Sequence, residues 1–168
     1  ALVNTWRASA VSVLAWGIAE YKLLGRSTLA GITSGGVAGL VAITPAAGFV
    51  APWAAVIMGL IAGFVGFSAI TFVKNSFGYD DTLDAFGIHG IGGAVGAILT
   101  AVFADKSIGG VAGVINGDLS LLWKQIVAIL FTVAFAAIGT FVLAKITELI
   151  AAPLRLTPAE EARGYDDI

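Results

Sequence analysis

The chain has 168 residues, of which 58% are hydrophobic and only 12% are charged, and its formal net charge is -2. This composition predicts a membrane protein and excludes a nucleic-acid-binding protein, which needs a basic surface. The chain has no cysteine and one histidine, so a disulfide framework, a thiolate metal site and a multi-histidine metal site are excluded as well.

The charged residues divide the first half of the chain into three predicted spans, because a charge near the centre of a bilayer costs about 2.5 to 3.5 kcal/mol. The first span lies near 3–21, where Arg7 is close enough to one end to reach the interface. The uncharged stretch 27–73 is too long for one crossing of the ~30 Å hydrocarbon layer. Pro45 and Pro52 mark a turn within it, which gives spans near 28–44 and 53–73.

Two further uncharged stretches, 85–104 and 125–144, predict helices near 82–104 and 122–151. Their apolar character is continuous and does not alternate, so a β-barrel is not favoured. The prediction is therefore an all-α, multi-pass membrane protein with five transmembrane helices in a domain of residues 1–152. A C-terminal tail of residues 153–168 follows.

The basic residues are unequally divided between the two ends of these spans. One face carries Lys22, Arg26, Lys74, Lys145, Arg155 and Arg163, and the other carries Arg7, Lys106 and Lys124. The excess of positive charge on the first face predicts that it is cytoplasmic, with the C-terminal tail. We therefore expect a cell-membrane protein whose bulk is surrounded by the lipid bilayer.

Glycines recur every fourth residue within several spans, as in the series 31, 35 and 39 and in the pairs 59/63 and 92/96. This spacing clears one face of a helix and favours close helix association. Clearance of a narrow duct is the functional alternative, and the pattern alone does not separate the two.

Three acidic residues, Asp80, Asp81 and Asp84, precede the fourth predicted span. With Asp81 as the N-cap, Asp84 falls at the third helical position, as in a capping box, and its charge faces the positive end of the helix dipole. We expect the three carboxylates to fix the start of this helix at the inner membrane surface.

His89 follows eight residues after that expected start, about 12 Å along a helix at ~1.5 Å per residue. An ionisable side chain at such depth indicates a functional site facing an interior cavity, although a buried, hydrogen-bonded structural imidazole is the alternative. Glycines at 87, 90 and 93 leave little bulk around the ring, which suits a pore. The low dielectric favours a neutral imidazole, which suits a small polar solute or a proton relay better than a bare cation.

Three stretches in the same order carry a family resemblance: GLVAITPAAG at 39–48, GYDDTLDAFGIHGIGGAVG at 78–96 and TPAEEARG at 157–164. Together they resemble the Amt/Mep ammonium transporters, and the likeness runs through the whole chain. The Rhesus glycoproteins resemble these three stretches less closely.

The resemblance implies an eleven-helix protomer of two inverted five-helix repeats and a final helix, assembled as a homotrimer with one pore in each subunit. This chain would supply the last five helices. His89 would be the second of two pore histidines, and the missing N-terminal half would supply the first. Ile43 and Ala85 would line the inner part of the duct.

The same resemblance implies transport of ammonium or ammonia without a cofactor. Ammonium would lose a proton on the outer side, pass neutral His89 as ammonia and regain a proton inside. The loops and tail on the inner face would be the place where a PII signal protein docks.

Three other functions remain open from the residues: a Rhesus-type neutral gas channel, a non-transporting membrane scaffold or half-transporter subunit, and a membrane enzyme. The last is the weakest of them, because no nucleophile and base accompany His89.

Overall fold

The computed structural model describes residues 1–151 and 154–163, and helices dominate this part of the chain. The helices are α1 (Leu2–Leu24), α2 (Leu29–Ile43), α3 (Pro52–Phe77), α4 (Phe86–Phe103), α5 (Lys106–Gly109), α6 (Ser120–Ile150) and α7 (Pro158–Arg163). A short 3₁₀ turn, Val114–Asn116, lies between α5 and α6. The chain forms two compact units, Ala1–Val127 and Ala128–Ile168.

Three of these helices, α3, α4 and α6, are long and apolar enough to cross a membrane. Helix α2 is apolar but has only 15 residues, and α1 has 23 residues but carries Arg7, Glu20 and Lys22. The all-helical membrane class predicted from the sequence is thus confirmed. Five crossings stay a prediction, because length and composition support three.

Helices α1, α2 and α3 pack closely through their glycines. A Cβ atom on Gly59 would lie 2.5 Å from the carbonyl oxygen of Ala8, and one on Gly39 would lie 2.6 Å from the same oxygen. A Cβ on Gly63 would lie 2.6 Å from the carbonyl oxygen of Ser12. The glycine spacing therefore serves helix association, the first of the two interpretations of the pattern.

Two apolar clusters lie within the first unit. One contains fully buried Ile43, Val50 and Met58. The other contains Trp16 and Phe67, whose rings meet edge to face at 5.9 Å between centroids. This second cluster lies directly behind the helix that carries His89, because it also includes Ile88.

Two buried polar side chains, Asn4 and Glu20, brace the ends of the packed helices. Asn4 donates from Nδ2 to the carbonyl oxygens of Ala47 at 3.0 Å and Val50 at 2.8 Å, which fixes the turn between α2 and α3. The carboxylate of Glu20 accepts from the backbone N–H of Thr28 at 3.1 Å and from its hydroxyl at 2.7 Å. The pattern of charges in the sequence gives no signal for the burial of Glu20.

The loop that follows α4 is fixed to the turn between α2 and α3. The backbone N–H of Asp105 donates to the carbonyl of Phe49 at 2.8 Å, and Asn116 donates from Nδ2 to the carbonyl of Ala104 at 2.9 Å. The carboxylate of Asp105 accepts from both the N–H and the hydroxyl of Ser107, which lowers the pKa of that carboxyl. This end of the first unit is thus held by hydrogen bonds between segments distant in sequence.

The second unit contains most of α6, on which Phe131 stacks on Phe135, and the short helix α7. Thr157 caps α7 by hydrogen bonds to Glu160, and these bonds lower the pKa of the Glu160 carboxyl. The predicted boundary between domain and tail, at residues 152 and 153, and the end of the tail, at 164–168, lie outside the described residues.

Candidate functional site

The candidate site is built on two π-helical turns, Ala69–Val73 in α3 and Phe86–Ile91 in α4. The two turns pack against each other, since a Cβ atom on Gly87 would lie 2.8 Å from Cγ2 of Ile70. A π turn inserts an extra residue into a helix and often occurs at functional sites. The second turn carries His89.

The predicted capping box at the start of α4 is not formed. Asp84 has φ 56, a left-handed conformation, so it lies before the helix and not at the third helical position. Asp81 nevertheless caps the helix, because its carboxylate accepts from the N–H groups of Ala85 and Phe86, both at 2.9 Å. The helix begins at Phe86 and not at the predicted residue 82, since the left-handed residue breaks the helical run. Asp80 lies exposed on the same loop.

The carboxylate of Asp84 instead forms an ion pair with Lys74, with 2.7 Å between Oδ1 and Nζ. The two side chains are about equally half-buried, at 27% and 26% exposure. Nζ of Lys74 also donates to the backbone carbonyl of Asp81. The sequence assigned Lys74 only to the positive inner face and gave no signal for this partner.

The turn that carries His89 has two distinct faces. Gly87 and Ile88 are buried toward α3, whereas Ala85, His89 and Gly90 are exposed. Two of the predicted pore residues, Ala85 and His89, therefore share one open stripe. The imidazole reaches this stripe from a helix whose other side is packed into the protein.

An aromatic pair closes one edge of this stripe. The rings of Tyr79 and Phe86 meet edge to face at 5.5 Å between centroids. Phe86 lies against Gly90, where an added Cβ would be 3.0 Å from Cδ2 of the ring. The glycine next to His89 therefore leaves room for the Phe86 ring, as well as reducing bulk beside the imidazole.

The structure does not bring Ile43 to this stripe. Its side chain is fully buried in the apolar cluster with Ala8, Val50 and Met58. The packing leaves no exposed surface of Ile43 for a solute, so the duct-lining role expected of it gains no support from the described residues and stays a prediction.

His89 also lies nearer the start of its helix than expected. It follows Phe86, the first residue of the helix, by three residues, whereas the predicted start at residue 82 puts it seven residues after the start. The difference arises entirely from the shift of the helix start. The depth of His89 in a membrane is therefore set by the course of the loop 78–85 as well as by the helix.

The chemistry available on the stripe is that of a single imidazole. A neutral histidine offers one donor and one acceptor nitrogen, enough to orient a small polar molecule or to pass a proton. Among residues 1–151 and 154–163, no group of three His, Cys, Asp or Glu side chains is placed to hold a metal ion. The site is suited to transient hydrogen bonding.

The comparisons with known proteins agree in one family. The model of the Ammonium Transporter Family matches residues 1–168. The ammonium transporter of Bacillus subtilis is 50% identical over 99% of this chain, and Amt1 of Archaeoglobus fulgidus is 40% identical over 99% of it. These named relatives are transporters, not enzymes.

Solved structures give the same result. Mep2 of Saccharomyces cerevisiae superimposes on 94% of this chain with a TM-score of 0.85 and 34% identity. A sensor Amt protein superimposes on 96% with a TM-score of 0.81 and 31% identity. The chain spans about two-fifths of the length of its relatives, 41% of the Bacillus protein and 37% of the Mep2 chain.

Proposed function

Because the chain belongs to the ammonium transporter family, we propose that it forms part of a pathway for ammonium or ammonia across the membrane, with His89 in contact with the solute. The observation that carries this proposal is the open stripe of His89 and Ala85 on a helix whose opposite side is buried. A packed helix that leaves one imidazole exposed is suited to a wall of a pathway.

The proposed mechanism follows from the cost of charge in an apolar duct. Ammonium gives one proton to an acceptor on the outer side, ammonia passes neutral His89 by hydrogen bonding, and ammonia takes a proton from water on the inner side. Potassium has no proton to give up, so it would have to enter the duct as a charged ion, at a high cost in free energy. Selection therefore depends on a removable proton and needs no cofactor.

The wider architecture is also part of the proposal. The chain would supply five crossings, the second half of an eleven-helix protomer, in a homotrimer of the cell membrane. Residues 1–152 would form the membrane domain, and the tail 153–168 would be cytoplasmic, near a docking surface for a PII protein. The matched share of the relatives, about two-fifths of their length, supports the assignment to one half.

Individual residues take roles within this arrangement. Ala85 would line the inner part of the duct beside His89, as its exposure supports. Asp80, Asp81 and Asp84 would define the inner end of the helix, and the bonds from Ala85 and Phe86 to Asp81 support this role. The duct-lining role predicted for Ile43 gains no support from its buried side chain.

The test is transport by the complete protein in proteoliposomes. We expect His89→Ala to abolish potassium-excluding ammonium uptake, while Leu149→Ala, a truncation of a side chain that is 87% exposed, leaves uptake unchanged. Full selective uptake by His89→Ala would refute the role of His89. Ammonium-evoked current in the same vesicles separates the alternatives: uptake without current indicates a neutral gas channel, and no uptake by the unmodified protein indicates a scaffold.

A further inference from the structure

One ion pair joins the two π turns of the candidate site. Lys74 follows the turn Ala69–Val73 directly, and Asp84 lies two residues before the turn Phe86–Ile91. The 2.7 Å bond between their side chains therefore ties the end of α3 to the start of α4. The loop between the two helices is closed by this contact.

We propose that Lys74 is a positioning residue for His89 and that it acts by fixing the π turn Phe86–Ile91 in its register. The consequence for ammonium uptake rests on the proposed function, whereas the effect on the imidazole itself does not. A continuous series of contacts runs from the ammonium group of Lys74 to the turn.

The first contacts orient the loop. Nζ of Lys74 holds both the carboxylate of Asp84 and the backbone carbonyl of Asp81. The side chain of Asp81 is then turned toward the helix, where it accepts the first two N–H groups, those of Ala85 and Phe86. One cation thus fixes the residue that caps the helix of His89.

The backbone of Asp84 shows why a fixed loop is needed. Its φ of 56 is uncommon for a residue other than glycine, and such a conformation persists only when its surroundings hold it. Its carbonyl accepts from the N–H of Ile88 at 3.0 Å, within the π turn. Lys74 holds the side chain of the same residue, so the strained residue is restrained by the ion pair and by the helix.

Release of this restraint would change the face on which His89 lies. With Asp84 free to become helical, α4 would extend toward its N-terminus and the π turn would relax to α-helical register. Each residue added to or removed from a helical turn rotates the neighbouring side chains by about 100° around the axis. Ile88 is held against Trp16 and Phe67, so the imidazole next to it would bear the change.

The ion pair is not needed to keep the protein folded. Partly exposed ion pairs contribute little to global stability, and the helices pack through glycine contacts elsewhere. A local effect on His89, with the fold retained, is therefore the expected result of breaking it. The chain offers a matched control in Lys145, which forms an ion pair of the same 2.7 Å length with Glu148.

The experiment uses the complete protein, labelled with ¹³C,¹⁵N-histidine and held in lipid nanodiscs. The ring resonances of His89 are assigned by their loss in His89→Gln. We expect Lys74→Met to shift these resonances, Lys145→Met to leave them in place, and Lys74→Arg, which keeps the charge, to lie close to the unmodified protein. We also expect Lys74→Met to lower ammonium uptake by up to about a hundredfold, the loss that misplacing a functional group by about 1 Å can cause.

Resonances of His89 that do not move in Lys74→Met overturn the proposal, whatever happens to uptake. Resonances that move in a protein that does not transport ammonium uphold the positioning role and remove the proposed function. Asp84→Asn is the second variant, in case Lys74→Met does not fold. It removes the charge from the other partner and keeps the side-chain volume, and an unmoved imidazole there overturns the proposal equally.

Discussion

Replacing Gly59 with alanine tests whether the backbones of α1 and α3 are in direct contact. The new Cβ would lie 2.5 Å from the carbonyl oxygen of Ala8 and 2.9 Å from its Cα. Ordinary contacts begin at 3.4 Å, so α1 would have to move by the difference between 3.4 and 2.5 Å, about 0.9 Å, relative to α3. The contacted atoms belong to the backbone and cannot change rotamer.

The cost follows from the destabilisation of overpacked interiors, about 1–3 kcal/mol. Gly139→Ala is the matched control, because Gly139 lies within α6 and, apart from the backbone of its own helix, no described residue approaches its Cβ position within 4 Å. Both substitutions gain the same intrinsic helix propensity, about 1 kcal/mol. The difference between the two variants therefore isolates the clash.

The assay is thermal unfolding of the detergent-solubilised protein. A difference of about 1–3 kcal/mol corresponds to a Tm about 2–12 °C lower for Gly59→Ala than for Gly139→Ala, at roughly 2–4 °C for each kcal/mol. Equal Tm values for the two variants would refute the close approach of α1 and α3.

Two further predictions concern hydrogen bonds at the ends of the helices. Glu20→Ala removes the acceptor of the hydrogen bonds from the N–H and hydroxyl of Thr28, so it is expected to destabilise the protein by about 1–3 kcal/mol. Glu20→Gln keeps an acceptor and is expected to destabilise the protein less. Equal losses of stability for the two variants in thermal unfolding would contradict this account. The bonds from Ser107 hold the pKa of Asp105 below its ordinary value of 3.8, so Ser107→Ala should raise that pKa in an NMR titration of the carboxylate. Since the folded pKa is the lower one, the stabilisation by Asp105 is present above pH 3.8 and is lost as the pH falls through the folded pKa. An unchanged pKa in Ser107→Ala would exclude the bond from the hydroxyl as a cause of the lowered pKa.

In the first half of the chain, the pattern of charges predicts the positions of the helices to within a few residues. The predicted span 28–44 corresponds to Leu29–Ile43, and the predicted span 53–73 lies within Pro52–Phe77. Both are bounded by signals near in sequence, such as Pro52 at the start of α3. The first helix extends beyond its predicted end at residue 21 to Leu24, because charged side chains near a span end do not stop a helix.

The start of α4 shows where such patterns fail. The acidic residues predict a capping box, yet Asp84 forms an ion pair with Lys74 of another helix and adopts a left-handed backbone. A capping box describes only two residues three apart, so it carries no information on a partner ten residues away. The shift of the helix start and the place of His89 nearer that start both follow from the left-handed backbone of Asp84.

The sequence by itself determined the helical membrane class and made His89 the candidate residue of the site. Uncharged stretches must satisfy their backbone groups internally in lipid, which favours helices, and a lone ionisable residue among glycines is visible without a fold. Only the tertiary structure decided that Glu20 is buried, that Ile43 packs in the core and that Lys74 meets Asp84. These outcomes depend on which helix faces lie together, and close approach at glycines such as Gly39 and Gly59 sets those faces over distances that no local pattern spans.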